Sequence, residues 1–429
     1  MISILFNILF FLIPLVFYKN TSELFEFNKI IVLYIFTVLI TTTWIINSIR
    51  AKKIIFHRTL LDYPLIIYLS IYFISSLFSI DPRTSWLGYY SRFNGGLISQ
   101  ICYALLYWAF VSNLNKKQTL HTTYYILLST AIASILAIGE RFGIFTTCGL
   151  MKLGWYESCW VQDVQNRVYS TLGQPNWLAA LLVALIPLGW SNQITNYKLQ
   201  ITKILWFLVS LLFFITLLFT KSRSGLLAFG IEAIIFWGLV FWKFRFKFWK
   251  LFVTTKWQAL LICNLSFVIL YFVFNKPTAN DQQLKTAVAP VLESGGTESG
   301  TIRKFVWLGA IEVFKHYPIL GTGPETFAFS FPKYKSVEHN LTSEWDFIYN
   351  KAHNEFLNYL ANTGIFGFLS YMSLIFYSII IFWKSKRFDL LAGYVGILIT
   401  NFFGFSVVPV SLLFFLFPAM AFINNNENN

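Results

Sequence analysis

The chain has 429 residues, of which 56% are hydrophobic and 20% aromatic but only 12% charged, and its mean hydropathy is +0.61. A soluble domain carries roughly twice that share of charge. A water-soluble globule is therefore excluded, and an all-α polytopic membrane protein is expected. The net charge of +14 does not signal a nucleic-acid partner, because the basic residues lie in short loops between apolar runs, where membrane topology puts them.

Charge-free intervals define about 12 transmembrane helices in chain order. The first precedes Lys19; it lacks a basic start and a small-residue cleavage site, so it reads as a retained span. The next four lie between Lys29 and Arg50, Asp62 and Asp81, Arg92 and Lys116, and Lys117 and Glu140. The sixth begins near Asn176 and ends before Lys198. The seventh covers residues 205–220, and the eighth covers residues 225–242, interrupted by Glu232. The ninth lies between Lys256 and Lys276, and the tenth covers residues 364–383. The 37 uncharged residues between Asp389 and Glu427 exceed one span, and Gly404 with Pro409 divides them into an eleventh and a twelfth. The implied organisation is 1–275 with nine spans, 276–354 as a long extracytoplasmic loop with amphipathic helices, and 355–429 with three spans and a polar tail.

With the N-terminus inside, the inner loops hold sixteen Lys and Arg and the short outer loops nine; the remaining eight lie in the long polar region. This bias gives cytoplasmic N- and C-termini. It also places residues 91–96, 167–179, 221–225 and 301–353 on one outer face. Cys148 and Cys159 share an outer loop and could form a disulfide, whereas Cys102 and Cys263 fall inside apolar spans as packing residues.

Three side chains stand out chemically. Arg223 follows an apolar span inside Lys221-Ser222-Arg223-Ser224-Gly225. Either it snorkels with Lys221 to the lipid interface, or it grips phosphate oxygens, with Ser222 and Ser224 as added donors. Arg303 opens a helical pattern in which Val306, Trp307, Ala310, Ile311 and Phe314 form one apolar face, with Thr301 as the N-cap. An Arg on that face needs an anion, either a phosphate at the helix N-terminus or a loop acid such as Glu298 or Glu325. His353 begins an amphipathic turn with Phe356, Leu357 and Leu360. It is either a packed core residue or a general base for a hydroxyl.

Residues 318–327 (PILGTGPETF) lack the preceding strand and Lys-Ser/Thr ending of a nucleotide loop, and read as a tight turn shaping the outer cavity. The sequence holds no D-x-D, H-E-x-x-H or G-x-S-x-G motif, and no Cys/His cluster with metal spacing. No metal site and no cofactor is expected.

These residues carry a resemblance to the O-antigen ligase/polymerase family of bacterial envelopes. The pattern is a span ending in Ser222-Arg223-Ser224-Gly225, then Arg303 with Trp307. The turn residues Pro318, Gly321, Gly323 and Phe327 follow, and His353-Asn354 with Leu357, Leu360, Gly364 and Gly367 completes it. Gly173, Pro175 and Asn176 resemble the family's turn before a span. The resemblance covers roughly residues 165–385. It implies a GT-C-type, metal-independent glycosyltransferase of the plasma membrane. Such an enzyme moves a glycan from undecaprenyl diphosphate to a glycan, lipid or protein acceptor on the outer side. It further implies that Arg223 and Arg303 bind the diphosphate and that His353 activates the acceptor hydroxyl. The supporting contacts would come from Lys221, Ser222, Ser224, Arg92, Arg167, Asn176 and Asn354.

Overall fold

A computed structural model describes residues 1–194, 200–252 and 299–426. Among these residues every regular element is helical, which lets long apolar runs satisfy their own backbone groups where lipid offers no hydrogen-bond partner. The first seven α-helices are α1 (Ile2–Leu12), α2 (Glu26–Arg50), α3 (Asp62–Leu77), α4 (Pro82–Leu87), α5 (Leu97–Asn113), α6 (Lys116–Arg141) and α7 (Thr146–Leu150). Then come α8 (Pro175–Ile194), α9 (Gln200–Thr220) and α10 (Arg223–Phe252), and after residue 298, α11 (Ser299–His316) and α12 (Phe327–Tyr334). The chain closes with α13 (Glu355–Lys384), α14 (Phe388–Phe402) and α15 (Val408–Asn426). Five segments are long and apolar enough to cross a membrane: Glu26–Arg50, Lys116–Arg141, Lys203–Thr220, Arg223–Lys243 and Glu355–Lys384. Shorter apolar helices accompany them. Together they make the chain an integral membrane protein. The expected ninth span, Cys263 and Glu298 lie outside the described residues.

Local sequence explains where the helices begin. Asn115 and Gln118 form a reciprocal capping box at the head of α6, and Asp81 caps α4 ahead of Pro82. From Leu178 to Ile186 every residue of α8 is buried. A helix apolar all round belongs at the centre, and α9, α10 and α14 surround it. Residues 408–421 of α15 are enclosed in the same way.

Two local expectations are corrected. Helix α11 starts at Ser299, so Thr301 lies inside it, exposed, and does not cap it. The buried stripe of α11 is Ile302, Val306, Gly309, Ala310 and Val313, while Ile311 faces outward and Arg303 and Trp307 flank the stripe. The pattern in α13 also differs. Its buried face carries Asn358, Tyr359, Ala361 and Asn362, while Phe356, Leu357 and Leu360 stay half-buried.

Residues 318–326 enter a kink in α13. Gly364 has φ 64° and breaks the helix there. The carbonyls freed by the kink are taken up by the loop: Thr322 N–H donates to Ala361 O at 3.2 Å and Gly323 N–H to Asn362 O at 2.8 Å. In return Ile365 N–H donates to Pro318 O at 2.8 Å. Ser75 of α3 and Ser85 of α4 donate hydroxyls to the carbonyls of Leu320 and Pro324. These glycine-loop N–H groups bind helix carbonyls, which accounts for the turn without any nucleotide.

Candidate active site

The helix junctions at one end of the bundle carry most of the basic residues singled out in the sequence. Arg92 lies in the loop before α5, Arg167 before α8, Arg223 at the head of α10, Arg303 in the first turns of α11, and His353 just before α13.

Arg223 and Arg167 come together because their loops are tied. Arg167 Nε donates to Thr220 O at 3.3 Å, Val168 N–H donates to Phe219 O at 3.3 Å, and Lys221 Nζ donates to Asn166 Oδ1. Burial first, and then the Arg223 charge, lower the proton affinity of Arg167. Burial and Arg167 in turn lower that of Arg303, while Glu344 opposes them. For His353 the causes are burial, then Arg303, then Arg92, which together push the imidazole down to about 4. Each cation thus feels the next, from Arg223 through Arg167 and Arg303 to His353 and Arg92. Among the described residues no carboxylate forms an ion pair with Arg92, Arg167 or Arg303. Glu325, a possible partner for Arg303 from the sequence, is instead bound to the buried Lys351.

His353 itself sits at φ 51°, immediately before Asn354, whose side chain caps α13 by accepting from Leu357 N–H at 3.1 Å. Trp307 Nε1, one turn after Arg303, donates to the His353 carbonyl at 3.4 Å and so joins α11 to the histidine segment. The imidazole packs against Phe405 at 5.5 Å and Tyr349 at 5.9 Å between ring centres. Arg92 lies against two adjoining rings, Trp177 and Phe405, 4.9 Å and 5.2 Å from their centres, and its enclosed Nη1 has no hydrogen-bond partner among the described residues.

The smaller polar candidates have local work. Ser222 Oγ donates to Asn176 Oδ1 at 2.8 Å and accepts Gly225 N–H at 3.2 Å, with Ser224 Oγ at 3.3 Å. Ser222 and Asn176 therefore fix the 221–225 turn against the head of α8, and Asn354 is committed to its cap. Lys221 is exposed, at φ 48°.

Sequence reasoning missed Phe405, Trp177 and Lys351, and it offered Glu325 a different partner. Phe405 lies in a 37-residue uncharged run and has no chemical signature. Glu325 takes φ 63° and its carboxylate lies where a Cβ on Gly95 would sit, so Lys351, Glu325 and the Arg92 loop interlock. Beside them a polar cavity of about 30 Å³ is lined by Glu325, Lys351, Glu355, Asn358, Tyr359 and Asn362. Glu355 Oε2 and both polar side-chain atoms of Asn362 lack partners among the described residues, and the space suits about two waters. On the other side of the bundle end, Cys148 and Cys159 form a disulfide.

A row of guanidiniums ending at an imidazole is an arrangement for an anionic ligand and a proton transfer. Residues 208–372 match the family described as O-antigen ligase, and they contain Arg223, Arg303 and His353. No curated protein matches the chain. The match over this segment, together with the apolar spans, supports an O-antigen ligase/polymerase-type, glycan-handling role in a membrane.

Proposed function

We propose that this protein is a GT-C-type glycosyltransferase of the O-antigen ligase kind with about 12 transmembrane helices, set in the plasma membrane with both termini cytoplasmic. In this reading 276–354 is an extracytoplasmic loop between the spans of 1–275 and those of 355–429, and the basic end of the bundle faces outward. The donor is a glycan on undecaprenyl diphosphate and the acceptor a hydroxyl, as in a ligase. Chain extension by a polymerase, or transfer to a protein hydroxyl, uses the same site chemistry.

The observation that carries this reading is the run of like charges from Arg223 to Arg92, which closes on the one imidazole among them. Arg223 and Arg303 bind the diphosphate, assisted by Arg167 and Arg92. His353, uncharged at neutral pH, takes the proton from the acceptor hydroxyl. The acceptor oxygen forms a bond to the anomeric carbon as the bond from that carbon to the diphosphate oxygen breaks. The electron pair leaves on the diphosphate, where the guanidiniums stabilise it in place of a metal ion. A single displacement of this kind inverts the anomeric centre.

The test is transfer in vitro from a defined lipid-diphosphate glycan, with several acceptors and a chelator present. Arg223→Ala, Arg303→Ala and His353→Ala should each abolish product while the protein still accumulates in the membrane. Arg→Lys at either position should recover only part of the activity, because a point charge cannot replace a fork worth about 1.5–3 kcal/mol per charge-assisted contact. Full activity in all three Ala variants, or movement of the donor across liposomes with no transfer, would sink the proposal.

A further inference from the structure

Among the described residues the Phe405 ring lies beside several parts of the site at once. It is 5.2 Å from the Arg92 guanidinium, 5.5 Å from the His353 ring, 5.8 Å from Lys351 Nζ and 6.1 Å from the Trp177 ring. The loop that carries it is fixed by carboxylates from two distant helices. Glu26, first residue of α2, accepts Val408 N–H at 2.7 Å, and Glu355, first residue of α13, accepts Ser406 N–H. Asn401 Nδ2 adds a bond to Ser406 Oγ at 2.8 Å. A half-buried phenyl group held this firmly fixes whatever rests on it.

What rests on it is a cation and a base. Arg92 packs into the corner made by two adjoining aromatic rings, which favour a guanidinium without neutralising it, and its enclosed Nη1 still has a proton to donate. The charged and titratable groups that face His353 are Arg303 from α11 and Arg92 from the α5 loop. Tyr349 packs on the imidazole from its own loop, and Lys351 lies across the Phe405 ring. Glu344, the acid whose charge acts on Arg303, accepts the Tyr349 hydroxyl. Two guanidiniums beside an imidazole make it a weak base for as long as their charge is uncompensated.

We propose that Phe405 is a positioning residue that, with Trp177, holds Arg92 beside His353 as a further anion-binding cation, so that a diphosphate in the site is what readies the imidazole to take the acceptor's proton. This rests on the donor assignment above and deepens it: the donor must bind before the acceptor is activated. Without donor, the base stays quiet and no hydroxyl is deprotonated.

The experiment is a titration of ring-labelled histidine by NMR in the purified full-length protein, with His353→Asn identifying the resonance and inorganic pyrophosphate as the probe. In the free protein His353 should titrate near the low value given by burial and the two arginines. Saturating pyrophosphate should raise its proton affinity about tenfold or more, because compensating a nearby like charge removes that share of the depression. Phe405→Leu should raise the free value and shrink the pyrophosphate response, whereas Phe405→Tyr should restore both. Arg92→Gln reports the same increment should Phe405→Leu fail to fold. Pyrophosphate that binds yet leaves His353 unmoved, or a Phe405→Leu protein that titrates like wild type, would overturn the inference and leave the donor assignment standing. Failure of pyrophosphate to bind at all would overturn both.

Discussion

His353 and Glu325 both occupy the left-handed backbone region, at φ 51° and 63°, without being glycine. Side chains with a Cβ enter that region only when their surroundings hold them there. Here the holders are visible: the Trp307 bond to the His353 carbonyl and the buried Lys351–Glu325 pair. The consequence for His353 is measurable through pH. Its folded value of about 4 lies below the ordinary 6.5. Between those two values the unfolded chain binds a proton that the native protein does not. Stability is therefore complete above pH 6.5 and declines as pH falls towards 4, by up to about 3 kcal/mol from this group. Thermal midpoints in detergent should drop more steeply over that window for wild type than for His353→Gln. Parallel slopes would mean that the imidazole is not depressed.

Among the helices and loops, the junction of α13 with residues 318–326 explains the glycines there. A Cβ on Gly364 would overlap the Ile319 carbonyl oxygen, and one on Gly321 the Asn362 carbonyl carbon. Both have positive φ as well. Gly230 in α10 has open space where its Cβ would be. Gly364→Ala should therefore lower the thermal midpoint and reduce the folded fraction on gel filtration, by a cost of about 1–3 kcal/mol for the strained backbone alone. Gly230→Ala should be neutral or slightly stabilising, by under about 1 kcal/mol, since Ala is the better helix former. Equal behaviour of the two variants would contradict the insertion of the loop into the kink. The Pro, Gly and Thr residues of that loop announced a turn in the sequence. The partner that takes its N–H groups could not be read there, because it is some forty residues further on and is created by the break at Gly364.

Across the molecule as a whole, the orientation proposed above assigns each loop a side of the membrane. Through His57 the 51–58 loop bonds to Val111 and Ser112, and Lys221 bonds to Asn166. With the proposed orientation, a cysteine at Lys221→Cys should react with a membrane-impermeant maleimide in spheroplasts, and one at Lys52→Cys should react only after lysis. The reverse pattern would turn the site to the cytoplasm, where a Cys148–Cys159 disulfide would be reduced.

Composition and hydropathy pattern were enough to establish the membrane character and the helical nature of the apolar intervals among the described residues, because lipid admits only helices and closed barrels and uncharged runs this long suit helices. They also singled out Arg223, Arg303 and His353, since charge is so scarce here that each titratable group near an apolar run needs a reason. Three-dimensional packing was needed to settle which face of α11 is buried, that α13 turns asparagines inward, and that Arg92 joins the histidine through Phe405. Those facts depend on which helices become neighbours. The bond from Val408 to Glu26 spans 382 positions, and a phenylalanine in a greasy run acquires a role only when folding lays a guanidinium and an imidazole against its ring.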